Sequence, residues 1–233
     1  MQKLHVGLIP DGNRRWARAR NLPDIEGHKY GSIVLKDAVE FFLRKPEIKE
    51  LSIFCLSEEN FKRSKEELNY LNKIYIEGIE DLRKRPLLGD EQVRVNLVST
   101  SMDKLDPSLL SVFKQINSET KVYSDKILNL LVGYTGKTEI IKAMQSPINK
   151  IKNLFFGLKE EDIRQALIVK TPCDFIIRSG FEEAERESKS GFFIWQSAYS
   201  ENYHLKKNWG DVTHKDLEDA WNYFLTARVM KGK

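Results

Sequence analysis

The chain has 233 residues, enough for one α/β domain with a substantial core. Charged residues are 31% and hydrophobic ones 41%, the balance of an ordinary globular protein. A net charge of +4 suits an anionic ligand and is too small to argue for nucleic acid. The two cysteines, Cys55 and Cys173, form no metal-binding spacing and fit a reducing compartment. No run reaches the roughly 18 apolar residues of a membrane span, and the opening residues do not read as a signal peptide. A cytoplasmic location is therefore expected, with peripheral membrane contact left open.

The stretch from Leu4 to Trp16 comes first in the chain and matters most. An apolar run, Leu4-His5-Val6-Gly7-Leu8-Ile9, reads as a buried strand. It ends abruptly in Pro10-Asp11-Gly12-Asn13-Arg14-Arg15-Trp16, a turn into a helix. Open α/β sheets bind ligands at such carboxyl ends. Gly12 lets backbone approach a ligand, and helix-start N–H groups attract anions. Asp11 can hold a hard divalent cation, and Arg14 and Arg15 can fork onto phosphate oxygens. A helix-capping Asp followed by surface arginines is the plainer alternative.

Periodicity then alternates between helix and strand. Residues 31–44 form an amphipathic helix that Pro46 ends. Residues 51–56 are a second apolar strand, whose exit is Ser57-Glu58-Glu59-Asn60-Phe61-Lys62-Arg63. Ser64, with Glu67 three residues on, caps a long helix to about residue 85. Residues 87–90 read as a turn, 93–98 as a third strand, 107–117 as a helix and 127–132 as a fourth strand. The fourth strand exits through Gly133-Tyr134-Thr135-Gly136-Lys137 into a helix over 138–145, interrupted at Pro147. Residues 148–167 read as one or two helices. Residues 175–177 form a short fifth strand with Arg178-Ser179-Gly180 at its exit. Residues 181–189 are highly charged and read as a mobile loop, and 192–195 read as a sixth strand. Thr213, with Asp216 three residues on, caps a closing helix to about residue 228. The expected fold is a single α/β domain spanning 1–233, with a central, mostly parallel six-stranded sheet flanked by helices.

The Asp11–Trp16 motif, Gly27-His28, Ser57 to Asn60, the GYTGK turn, IIRSG and Phe193-Ile194-Trp195-Gln196-Ser197-Ala198-Tyr199-Ser200-Glu201 occur in order along nearly the whole chain. Together they resemble the cis-prenyltransferases, the undecaprenyl diphosphate synthase-like family, in its archaeal and eukaryotic variants. The resemblance implies a hydrophobic tunnel, a homodimer, Mg²⁺ as cofactor, and condensation of isopentenyl diphosphate with an allylic diphosphate to a cis-polyprenyl diphosphate. Carried over by position, Asp11 would hold the metal with help from Glu201. Gly12, Asn13, Arg14 and Arg15 would cradle the allylic diphosphate, and Arg63 would help order the substrates. Ser57 and Trp16 would stand among the substrate-binding residues, Trp16 more as packing than as chemistry. Arg178, Ser190 and, from the longer loop, Arg186 would take isopentenyl diphosphate. His28 and Asn60 would serve proton removal or diphosphate handling. Cys55, Tyr70, Tyr75 and Gly78 are candidate tunnel walls.

Three positions depart from the family pattern. Asp24 stands where an arginine grips diphosphate, a contact that Arg20 or Lys29 would have to replace. The 181–189 loop is longer, with Ser188 at an arginine position. The chain closes RVMKGK, without an Arg-x-Gly ending. A partner-dependent subunit of a heteromeric enzyme, or an unusual prenyl coupling on the same fold, are the alternatives to chain elongation.

Overall fold

The computed structural model describes residues 3–180 and 188–230. Strand β1 (Leu4–Ile9) is buried at every position and sits near the middle of the sheet. It leads through Gly12 into a short helix α1 (Asn13–Arg18) and then α2 (Asp24–Leu43). Next come β2 (Ile48–Ser57), a 3₁₀ turn (Glu58–Lys62), α3 (Lys65–Arg83) and a one-turn helix α4 (Leu87–Asp90). They are followed by β3 (Val93–Val98), α5 (Pro107–Thr120), β4 (Lys126–Tyr134), α6 (Gly136–Met144), α7 (Pro147–Phe155) and α8 (Glu160–Ala166). The chain closes with β5 (Phe175–Arg178), β6 (Glu201–His204) and α9 (His214–Met230).

The six strands form one sheet in the order β3-β4-β2-β1-β5-β6, and every neighbouring pair is parallel. The chain first builds outward from β1 on one side, then crosses back to place β5 on the other. That reversal makes the carboxyl ends of β1 and β5 a switch point, where neighbouring exits diverge and leave a crevice. Ile9 pairs with Arg178 across it, so the two exits begin side by side.

Alternation along the strands divides the core. Leu4, Val6 and Leu8 face one layer with Leu51, Ile53, Leu128, Phe175 and Ile177, covered by α2, α3, α5 and α9. Ile9, Phe54, Leu131 and Ile176 face the other, smaller layer. Buried Glu139 ties that second layer together, accepting from Tyr134 Oη at 2.6 Å, Gln196 Nε2 at 2.9 Å and the Ile168 amide at 3.0 Å.

Several elements differ from expectation. Helix α2 begins at Asp24, seven residues before the amphipathic stripe at 31–44, because Gly27 and Gly31 lie inside it. Glycine weakens a helix locally, but here it permits close packing. A Cβ on Gly27 would sit 2.0 Å from the Asn13 carbonyl oxygen, and one on Gly31 2.1 Å from Asn13 Oδ1. Residues 87–90 are a helical turn rather than an irregular one. Pro147 opens α7 at its first turn, where its missing N–H costs nothing.

The expected sixth strand at 192–195 is a turn, with Phe193 at φ 38°. Its apolar character serves burial instead. Phe192 and Phe193 are fully buried and cap the second layer. The true sixth strand, β6, is half-buried and polar, as an edge strand paired on one side can be.

Candidate active site

The site is built on the carboxyl ends of β1, β2 and β5. Gly12 has φ 94° and passes close to Asn208, whose Oδ1 would lie 2.4 Å from an added Cβ. No residue with a side chain fits there without moving that neighbour. The turn is fixed by reciprocal bonds. The Asp11 amide donates to Ser179 Oγ at 3.0 Å, and Ser179 Oγ donates back to the Asp11 carbonyl at 2.8 Å. Asp11 Oδ1 accepts from the Gly12 amide at 2.6 Å, and Asp11 Oδ2 accepts from Arg178 NH2 at 2.7 Å. The Asp11 side chain is 42% exposed, so its carboxylate still faces the cleft.

A cleft of about 430 Å³ lies over these exits. Asp11, Gly12, Asn13, Arg14, Arg15 and Arg18 line it from the first turn. His28 comes from α2, Ser57, Glu59, Asn60 and Arg63 come from the β2 exit, and Ser190 closes it. Four guanidinium groups therefore face two carboxylates, Asp11 and Glu59. Each arginine has an acceptor on the protein. Arg15 NH2 donates to the Gly180 carbonyl at 2.5 Å, Arg63 NH1 to Glu67 at 3.0 Å, Arg14 Nε to Asp24 at 2.7 Å, and Arg18 to both Asp24 oxygens at 2.7 and 2.8 Å.

Ser57 and Asn60 hold the second wall. Asn60 Oδ1 accepts from the Ser57 amide at 3.2 Å in a capping box, which commits its oxygen and leaves its NH₂ as donor. His28 is pushed down to about 4, chiefly by burial and then by the positive charge of Arg63. It is therefore neutral near pH 7. His28 Nε2 and Asn13 Oδ1 are buried with no hydrogen-bond partner among the described residues. Buried polar atoms rarely stay unpaired unless the site is meant to receive something.

Pro10, Asn13 and His28 line this cleft and also a second, almost wholly apolar bore of about 130 Å³. The bore runs between α2, α3 and the sheet, past Leu35, Ile53, Cys55, Leu71, Tyr75 and Gly78. Tyr75 Oη donates to the Cys55 carbonyl at 2.7 Å, and burial pushes the Cys55 thiol up to about 12, so the wall there is neutral. Tyr70, expected beside them, does not line the bore.

Some expected site residues lie elsewhere. Trp16 is buried away from the cleft: it stacks on Tyr30, its Nε1 donates to Asp211 at 3.1 Å, and Gly210 packs against its face. It is a packing residue. Arg20 bonds Asp211 and covers Trp16, and Lys29 pairs with Glu26, so neither replaces the missing arginine at position 24. Glu201 starts β6 opposite Phe175, three residues before the Arg178–His204 pair. At about 3.3 Å per residue this puts its backbone roughly 10 Å from the strand tips, so it does not join Asp11 within one chain. Among the described residues no group of three or more His, Cys, Asp or Glu side chains could hold an ion. Asp11 alone fits the habit of Mg²⁺, which takes one or two carboxylates and completes its shell with water and substrate phosphates. Arg186 lies outside the described residues, as does most of the 181–189 loop. Sequence reading overlooked Arg18 and Glu59 as cleft residues. The spacing of Arg14 and Arg18, one helical turn apart, was the available signal for the first.

The family model described as "Putative undecaprenyl diphosphate synthase" matches residues 9–230. An isoprenyl transferase of Thermotoga maritima is 37% identical over 217 residues, covering 91% of this chain and 89% of that protein. A tritrans,polycis-undecaprenyl-diphosphate synthase (GGDP specific) of Sulfolobus acidocaldarius is 34% identical over 227 residues, covering 95% and 84%. Among solved structures, lavandulyl diphosphate synthase from Lavandula x intermedia, in complex with dimethylallyl diphosphate, superposes with TM-score 0.81 at 27% identity over 94% of each chain.

Proposed function

The chain belongs to the undecaprenyl diphosphate synthase family of cis-prenyltransferases, and from that premise we propose how its cleft and bore divide the work. The protein is a prenyltransferase that condenses isopentenyl diphosphate with an allylic diphosphate and extends a cis-polyprenyl chain. One observation supports the assignment of residues best: a cation-rich cleft over the β1 and β2 exits adjoins an apolar bore, with Pro10, Asn13 and His28 lining both.

Ionising an allylic diphosphate places negative charge on the leaving group. Fixed guanidinium donors stabilise that charge more in the transition state than before it. Arg14, Arg15 and Arg63, with the backbone at Gly12 and Asn13, take the allylic diphosphate, while Arg178 and Ser190 take that of isopentenyl diphosphate. Mg²⁺ bound at Asp11 would neutralise phosphate charge as a Lewis acid. Asn60 donates to a phosphate through its NH₂. His28, neutral, with no hydrogen bond on Nε2 among the described residues and the Glu67 carboxylate 3.9 Å away, is placed to accept a proton. The bore keeps the carbocation and the growing chain away from water.

Two further features belong to this proposal. The enzyme is a homodimer, and an apolar product calls for peripheral membrane contact at release. In support of self-association, α7 and the residue after it present Ile148, Ile151, Leu154, Phe155 and Phe156 at 60–85% exposure, a contiguous exposed apolar row of the kind that marks an interaction surface.

The test is incubation of the purified chain alone with isopentenyl diphosphate, farnesyl or geranylgeranyl diphosphate, and Mg²⁺, with products read by mass spectrometry. A ladder of products rising by one isoprene unit is expected. Product only after adding a second chain would make this a partner-dependent subunit. A single coupled product with no ladder would indicate a coupling reaction instead of chain elongation.

A further inference from the structure

We propose that Arg18 is an additional diphosphate-binding residue of this cleft, and that Asp24 is the positioning residue that holds it there. The chemical class of the ligand rests on the function proposed above; the placement rests on geometry. Arg18 is the last residue of α1 and lines the cleft with Asp11, Arg14, Arg15 and Arg63. Asp24 is the first residue of α2 and does not line the cleft. It meets Arg18 side-on, with Nε donating to one oxygen at 2.8 Å and NH2 to the other at 2.7 Å. Arg14 Nε shares the second oxygen at 2.7 Å.

A guanidinium carries five N–H groups in a rigid fork. Asp24 engages one edge of the Arg18 fork and a single N–H of Arg14, so that among the described residues NH1 of Arg18 and both terminal nitrogens of Arg14 remain for a ligand. The pattern repeats around the cleft, where Gly180 and Glu67 hold Arg15 and Arg63. The Arg18 side chain is 60% exposed, and an arginine that exposed samples many rotamers unless something fixes it. A two-point carboxylate contact removes that freedom before the ligand arrives, which is how preorganisation raises affinity. A carboxylate at position 24 cannot grip phosphate itself, but it can deliver a guanidinium from the neighbouring helix.

The test uses inorganic pyrophosphate as probe, by calorimetry, alongside steady-state kinetics. For Arg18→Gln we expect the pyrophosphate Kd to rise about tenfold, as for a lost charge-assisted contact. KM for the allylic diphosphate should rise more than kcat falls, and Arg18→Lys should lie between the two proteins. Asp24→Asn should also weaken pyrophosphate binding, but much less in the Arg18→Gln background, since it acts through that arginine. Unchanged pyrophosphate binding in Arg18→Gln would overturn the assignment. Tighter binding in Asp24→Asn would show Asp24 to be a competitor for the arginines, and would overturn its positioning role. If the wild-type chain makes no prenyl product yet Arg18→Gln loses pyrophosphate, the proposed function fails while this inference stands.

Discussion

At the scale of the residue, the site turns on charge placed where strands end. Asp11 contributes a half-exposed carboxylate whose neighbours are guanidinium groups at 2.7 Å (Arg178) and 4.0 Å (Arg15). Asp11→Asn keeps the shape and removes the charge. We expect kcat to fall by about 10²–10³, the scale of a lost transition-state electrostatic contact, with a melting temperature within a few degrees of wild type. Near-normal turnover in that variant would refute the role given to Asp11. His28 makes a second prediction, about stability. Its folded pKa is about 4, against an ordinary value of 6.5. As pH falls below 6.5 the unfolded chain takes up the proton while the folded one does not, so stability is lost from pH 6.5 down to about 4. Between pH 7 and 5 this amounts to about 2 kcal/mol. Urea unfolding at the two pH values should show that loss in the wild type and a correspondingly smaller one in His28→Gln. Buried His5 is also lowered and titrates in both proteins, so the comparison isolates His28.

At the scale of the element, α3 decides the shape of the bore. Its capping is local and half legible: Ser64 Oγ accepts from the Glu67 amide at 3.2 Å, but the Glu67 carboxylate, instead of completing the expected capping box, accepts from Arg63 NH1 at 3.0 Å. Its inner face carries Leu71, Ile74, Tyr75, Gly78 and Ile79 along the bore. An added Cβ at Gly78 meets nothing within 4 Å. Gly78→Ala should therefore stabilise the protein by about 0.5–1 kcal/mol, the helix-propensity difference alone. Gly78→Phe should fill the bore and shift the product ladder toward shorter chains. A chromatogram unchanged by Phe would mean that growing product does not pass this point. Helix α2 shows the opposite use of glycine, where Gly27 and Gly31 are required because Asn13 presses against them.

At the scale of the whole molecule, the parallel sheet gathers functional groups from remote parts of the chain onto one edge. It also leaves a face that one copy does not cover. Helix α7 repeats apolar residues at Ile148, Ile151, Leu154 and Phe155, with Phe156 just beyond, all well exposed. We expect the protein to sediment as a dimer at micromolar concentration, and Leu154→Glu combined with Phe156→Glu to give a folded monomer. A wild-type monomer under these conditions would rule out the proposed assembly.

Local pattern determined most of the framework. Five strands and the long amphipathic helices follow from apolar periods of two and 3.6. The strand exits carrying Asp11, Asn60 and Arg178 follow from the abrupt change to polar residues and glycine. Those signals survive in sequence because each is set by neighbours a few positions away. Tertiary structure alone decided the rest. Phe192 and Phe193 look like a strand, and only the uncovered second face of the sheet makes them a cap. Trp16 sits inside the binding motif, and only its contacts with Tyr30 and Asp211 remove it from the site. Glu201 reads as a ligand, and only the register of β6 on β5 takes it away from Asp11. Asp24 looks like a lost phosphate contact, and only the packing of α1 against α2 turns it into the anchor of Arg18. In each case the deciding partner is set by how elements dock, and docking depends on the summed burial of the whole core rather than on any short window of residues.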